Sequence, residues 1–179
     1  GGKSQMLVPS APALMTAALR ELLKSAKGLD FAAAFEVTHH GPYSEKPVFF
    51  IEIGSDETAW NDEKAGSAIA NALVSTFSLP LAESPICIGI GGGHYAPRQT
   101  DMAKNKKISF GHMLPDYQIE GASDDELKRK ISMAVSSTPG CRYAYIDKKS
   151  LGKEVHRIEK MLEEISIKRI RGEGLEILA

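Results

Sequence analysis

The chain has little of several things that would settle its class at once. Only two of its 179 residues are cysteine. Cys87 lies in an apolar run and Cys141 in a turn, with no C-x-x-C spacing, which excludes a disulfide scaffold and a paired-thiol motif and fits a reducing, cytoplasmic location. Aromatic residues make up 7% with a single Trp, a poor supply of stacking platforms for a dedicated RNA-binding module. Neither charge dominates: 22 Lys and Arg face 23 Asp and Glu, for a net charge of −1, so a polyanion must be met by a local patch and not by a global field. Apolar runs fall short of a membrane span and no signal-peptide pattern opens the chain, so no membrane partner is expected. No serine stands in a nucleophile-elbow context and neither cysteine has a histidine close by in sequence, which leaves covalent catalysis without support. Repeats, low-complexity tracts and linkers are missing as well. The expectation is one globular domain over residues 1–179, with a monomer favoured.

What is present reads as helices alternating with strands. Ser10 precedes Ala11–Ala26, where Leu14, Ala18, Leu19, Leu22 and Leu23 share a helical face; Ser10 is the expected N-cap and Pro12 suits the first turn. Phe31–Val37 and Val48–Ile53 read as strands joined through Thr38-His39-His40-Gly41-Pro42, an expected antiparallel pair. A second helix is expected over Asp62–Phe77, followed by a buried strand at Pro85–Ile88, a basic loop, and a strand at Ile108–Met113. Ser123-Asp124-Asp125-Glu126 is a capping box that opens a helix to about Ser136. Tyr143–Ile146 is a strand, Ser150 caps a helix through Glu164, and Ile165–Ile170 is a last strand. The pattern predicts an α/β fold: a mixed, mostly parallel sheet with helices on both faces.

The chemistry concentrates in Gly89-Ile90-Gly91-Gly92-Gly93-His94-Tyr95-Ala96-Pro97-Arg98. A strand here runs into three residues without side chains, where a ligand can approach the backbone, and then presents an imidazole and a cation. Read alone, such a stretch is equally a plain glycine turn. Context comes from His39, His40 and His112, which also fall at expected strand ends, the rim where open α/β sheets bind ligands. His156 sits among charged residues of a helix and reads as a surface residue. Glu52 interrupts the apolar run Val48–Ile53 and is either a partnered acid or a solvent-facing position of the alternation. Glu36, between Phe35 and Val37, is open to the same two readings, and Asp116 belongs to a turn. Arg98, Lys104, Lys106 and Lys107 form a basic segment expected beside the glycines, suited to a phosphate-bearing substrate or simply solvated. Lys168, Arg169 and Arg171 form a second cluster that strand alternation divides between faces.

Four blocks carry a resemblance: Glu36–Pro42, Phe50–Ser55, Gly89–Arg98 and Phe110–Pro115, in this order. Together they resemble the archaeal and plant type of D-aminoacyl-tRNA deacylase, and the likeness weakens after Pro115. It implies a zinc-dependent hydrolase that cuts the ester joining a D-amino acid to the terminal ribose of tRNA, with the acceptor end of aminoacyl-tRNA as partner. The implied fold is similar to those of peptidyl-tRNA hydrolases and nucleoside phosphorylases. The start at Gly1-Gly2-Lys3 resembles a point inside the family sequence, so the chain is expected to be the C-terminal part of a longer enzyme. Under this resemblance His39, His94 and His112 are the candidate Zn2+ ligands, and Glu52, His40 and His94 the candidate catalytic residues. Gly91, Gly92 and Gly93 would hold the oxyanion or terminal phosphate through their amides, while Arg98, Lys104, Lys106 and Lys107 guide the acceptor end. Two rivals stay open: a phosphorylase-like enzyme whose glycine loop binds phosphate without metal, and a non-catalytic tRNA-binding module.

Overall fold

The computed structural model describes residues 2–39, 41–54, 56–78 and 80–178. Four parallel strands, β1 (Ile86–Ile90), β2 (Ser109–Leu114), β3 (Tyr143–Ile146) and β4 (Lys168–Ile170), form one sheet in the order β2-β1-β3-β4. Among the described residues seven α-helices accompany them: α1 (Pro12–Ser25), α2 (Glu57–Trp60), α3 (Glu63–Ser78), α4 (Pro97–Asn105), α5 (Asp124–Ser136), α6 (Lys148–Leu151) and α7 (Glu154–Glu164).

Period-two alternation along the strands divides the core into two layers. Ile88, Ile90, Ala144 and Ile146 point to the side covered by α5 and α7, where they meet Leu127, Ile131, Ile158 and Leu162. Cys87, Phe110, Tyr143 and Tyr145 point to the other side, against Leu19 of α1 and Met102 and Ala103 of α4. The α/β class, the parallel sheet and the helices on both faces thus agree with the sequence pattern. Burial on both faces is also why the two central runs, β1 and β2, are short and largely apolar.

Four expectations are corrected. The antiparallel pair does not form: Phe31–Val37 and Val48–Ile53 share no ladder, and Val48 instead donates to Pro9 and bridges Ser10 in parallel. The sheet is therefore wholly parallel. Ser10 does not cap α1, whose N-cap is Ala11 without a side-chain bond. It is buried, its hydroxyl donating to Ser137 O at 3.3 Å and Thr138 Oγ1 at 3.4 Å. The expected basic loop is helix α4, with Pro97 in its first turn; its charged surface lowers mean hydropathy without removing the inward Gln99, Met102 and Ala103. The capping box opens α5 as expected, Ser123 Oγ accepting from Glu126 N at 3.3 Å. Ser150 falls within α6, whose cap is Asp147, and Gly152 separates α6 from α7.

The order of the strands fixes where loops diverge. From β1 the chain crosses through α4 to β2 on one side; from β3 it crosses through α6 and α7 to β4 on the other. The connections part between the carboxyl ends of β1 and β3, the position at which open parallel sheets make a crevice.

Candidate active site

The loop leaving β1 occupies that crevice. Gly91 and Gly92 have φ of +88° and +87°, a left-handed geometry that side chains disfavour. A Cβ on Gly91 would also lie 2.7 Å from Leu151. The Gly91 amide donates to Leu114 O at 2.8 Å and the Gly92 amide to Ser150 Oγ at 2.7 Å. These two amides are therefore engaged within the protein, which corrects the expectation that all three would face a ligand. Among the described residues the Gly93 amide has no such acceptor, and Gly93 is exposed. Gln99, fully buried, donates from Nε2 to Gly91 O at 2.7 Å and holds the loop from beneath. The chain then turns tightly, Ala96 N donating to Gly93 O, with Ala96 itself at φ +39°. That turn leaves His94 and Tyr95 facing outward.

A second segment crosses the same rim. Phe35 N donates to Thr100 Oγ1, Val37 N to His94 O and Thr38 N to Met113 O, each at 2.9 to 3.0 Å. Phe35 and Val37 are buried, Phe35 edge-on to Phe110 with ring centroids 5.9 Å apart. Alternation turns Glu36 away from this core and onto the rim. Its Oε2 lies 3.4 Å from His39 Nδ1 and its Oε1 3.4 Å from His94 Nε2. The two imidazole centroids are 4.6 Å apart. One donor atom from each of Glu36, His39 and His94 lies within 4.8 Å of the others. The three side chains keep 33%, 37% and 46% of their surface accessible, so the cluster opens to solvent. Two nitrogens and a carboxylate oxygen on one open face match the three-ligand donor set of a catalytic zinc centre.

The remaining sequence candidates fall elsewhere. His112 is buried and uses both ring nitrogens: Nε2 donates to Val8 O at 2.8 Å, and Nδ1 accepts from the Thr38 hydroxyl at 3.0 Å. Thr38 Oγ1 in turn accepts from Met113 N, which closes the circuit. Burial pushes the His112 pKa below the ordinary 6.5, outweighing the opposing bonds to the carbonyls of Val8 and Ser137. His112 is a neutral structural histidine that fastens the Val37–Thr38 segment to β2, not a member of the cluster. Glu52 is exposed and outside the cluster, and His40 lies outside the described residues. Glu36, and not the expected Glu52, is the acid that stands with His39 and His94.

The basic segment is also relocated. The crossover from β1 to β2 must reverse direction, so α4 carries the chain from the carboxyl rim back to the opposite edge. Arg98, in its first turn, stays at the rim. Lys104, Lys106 and Lys107 end up beside the start of β2, where Lys107 pairs with Glu176 and Arg20 caps the helix end through Ala103 O and Lys106 O.

A parallel α/β sheet with an imidazole–carboxylate cluster on its carboxyl rim defines the class. The chain belongs to the D-aminoacyl-tRNA deacylase family, whose model matches residues 1–170. It is 37% identical over 171 residues to the D-aminoacyl-tRNA deacylase of Methanosarcina barkeri, covering 93% of this chain and 53% of that protein. The corresponding protein of Methanoculleus marisnigri is 41% identical over 169 residues, covering 93% of this chain and 37% of the relative. That of Thermoplasma acidophilum is 32% identical over 171 residues, covering 95% and 64%. The chain thus spans about half the length of several curated relatives that it matches. A solved structure described as a conserved protein of unknown function, AF0625, superposes with a TM-score of 0.85 at 28% identity, covering 99% of this chain and 64% of that one. These findings do not favour the phosphorylase-like or non-catalytic readings.

Proposed function

We propose that this protein hydrolyses the ester bond of D-aminoacyl-tRNA with the assistance of a zinc ion. The carrying observation is the convergence of Glu36, His39 and His94 next to the free Gly93 amide, in a chain of this family. Glu36, His39 and His94 would hold the ion, which when bound acidifies water and polarises a carbonyl. Hydrolysis adds the oxygen of water to the ester carbonyl carbon, breaks the bond to the ribose oxygen and returns a proton to that oxygen. The Gly93 amide is the donor available to the developing oxyanion. Ser150 and Gln99 hold the loop that aims it, and Arg98 stands where the terminal phosphate of the acceptor strand would pass. Glu36 approaches one imidazole through each of its oxygens, both at 3.4 Å, which is why its carboxylate belongs with both rings in one donor set.

The test is release of free amino acid from D-aminoacyl-tRNA and from its L counterpart, with and without a chelator. Turnover of the D ester that stops on chelation and returns with zinc is the expected result. Turnover that ignores the chelator removes the metal, and no turnover of either ester removes the hydrolase. No helix among the described residues is long and apolar enough to cross a membrane.

A further inference from the structure

A second feature of the carboxyl rim shares only Arg98 with the site described above. A cleft of about 330 Å³ opens beyond the ends of β3 and β4. Five cationic side chains line it, Arg98, Lys148, Lys149, Arg169 and Arg171, against two carboxylates, Asp147 and Glu173. In a chain of net charge −1, such an excess is local. The opposing charge is weaker still, because Asp147 Oδ1 is engaged in capping α6, accepting from Lys149 N at 3.0 Å and Ser150 N at 3.4 Å. Among the described residues only Arg169 of the five has a carboxylate partner, Glu159. Arg169 Nε is buried in the wall with no acceptor from the protein, an uncommon state for a guanidinium donor. The hydroxyl of Tyr145 shares this wall: burial, then Asp147, raise its pKa, and Arg98 and Arg169 pull the other way.

We infer that this cleft binds phosphate groups of the tRNA acceptor strand. The identity of the RNA rests on the hydrolase reading; the anion chemistry does not. Arg98 ties the two sites together. It is four residues beyond His94, so their backbones are at most about 14 Å apart, within the span of one strand end lying across the rim. Arginine forks from the start of α4 and from β4, with flexible lysines between them, give the combination that grips a phosphodiester backbone without reading bases. The site also replaces Lys104, Lys106 and Lys107, which the crossover carries to the far edge of the sheet.

The experiment compares the wild-type protein with a variant combining Lys148→Ala, Lys149→Ala and Arg171→Ala, all exposed positions, using uncharged tRNA over a range of salt. The variant is expected to bind tRNA at least tenfold more weakly at low salt. Its plot of log affinity against log salt should flatten by about 2, as loss of three phosphate contacts requires. Arg169→Lys, which keeps the charge but loses the fork, should weaken binding at any one salt without that flattening. An unchanged slope in the triple variant, with unchanged circular dichroism, overturns the proposal. So does inorganic phosphate that binds the wild-type cleft while tRNA fails to compete with it, since the cleft then takes small anions only. If the triple variant loses tRNA affinity while wild-type protein releases no amino acid from D-aminoacyl-tRNA, the hydrolase reading falls and the cleft stands.

Discussion

At the scale of single residues, the four described rim and core histidines and acids separate by how their polar atoms are satisfied. His39 and His94 face a shared carboxylate with their rings partly open, whereas both nitrogens of His112 are occupied by the protein. His94→Ala is therefore expected to reduce deacylation by at least about 100-fold and to lower bound zinc, with little change in the melting temperature, because the side chain is exposed. Glu36→Gln should show the same split, and activity together with elemental zinc content checks both. His112→Ala is expected to behave in the opposite way. It leaves Val8 O and the Thr38 hydroxyl without their partner and should cost about 1–3 kcal/mol in denaturant unfolding while zinc is retained. Acidity adds a second signature. With its folded pKa depressed, His112 stabilises the fold fully above its unfolded value near 6.5; this is lost as pH falls toward the folded pKa, because the unfolded chain takes the proton first. Unfolding free energy measured between pH 8 and pH 5 should drop for wild type and lose much of that drop in His112→Asn.

At the scale of elements, the site depends on loops whose backbones approach closely. Gly111 in β2 has no room for a side chain: a Cβ there would collide with the Thr138 side chain, Oγ1 at 2.5 Å, and approach Ser10 Oγ to 2.9 Å. Thr138 Oγ1 also accepts from His112 N, so it cannot simply withdraw. Gly111→Ala is expected to destabilise the protein by about 1–3 kcal/mol, read as a lower melting temperature. The extended segment around Glu36 shows why element reading is only partly a matter of sequence. Its alternation is real, with Phe35 and Val37 inward and Glu36 outward, and the residues promote an extended backbone. Its hydrogen-bond partners are a helix hydroxyl, a loop carbonyl and the end of β2 in place of a neighbouring strand. Alternation reports which face is buried and carries no information on what lies alongside.

For the whole molecule, the direction of each crossover decides which charges meet a substrate. Lys106→Ala combined with Lys107→Ala is expected to change tRNA affinity less than loss of the cleft cations, since these lysines sit at the far edge and Lys107 is paired with Glu176. Equal losses from the two variants, measured at the same salt, would place the RNA along the full length of α4. Of the cations that do reach the rim, Lys148, Lys149 and Arg171 are far from the glycine loop in sequence and belong to no motif. Only the parallel pairing of β1, β3 and β4 brings them together.

The amino-acid sequence by itself determined the α/β class, the positions of all four ladder strands and most of the helices, because those follow from local periodicity and caps. It also marked the glycine bend with His94 and the acid-and-imidazole segment around His39, since strand ends and missing side chains are visible residue by residue. Tertiary structure decided which histidine is neutral and buried, which acid stands between two rings, and which basic cluster faces the rim. Those outcomes depend on strand order, crossover direction and burial, which arise between residues distant along the chain and leave no local pattern.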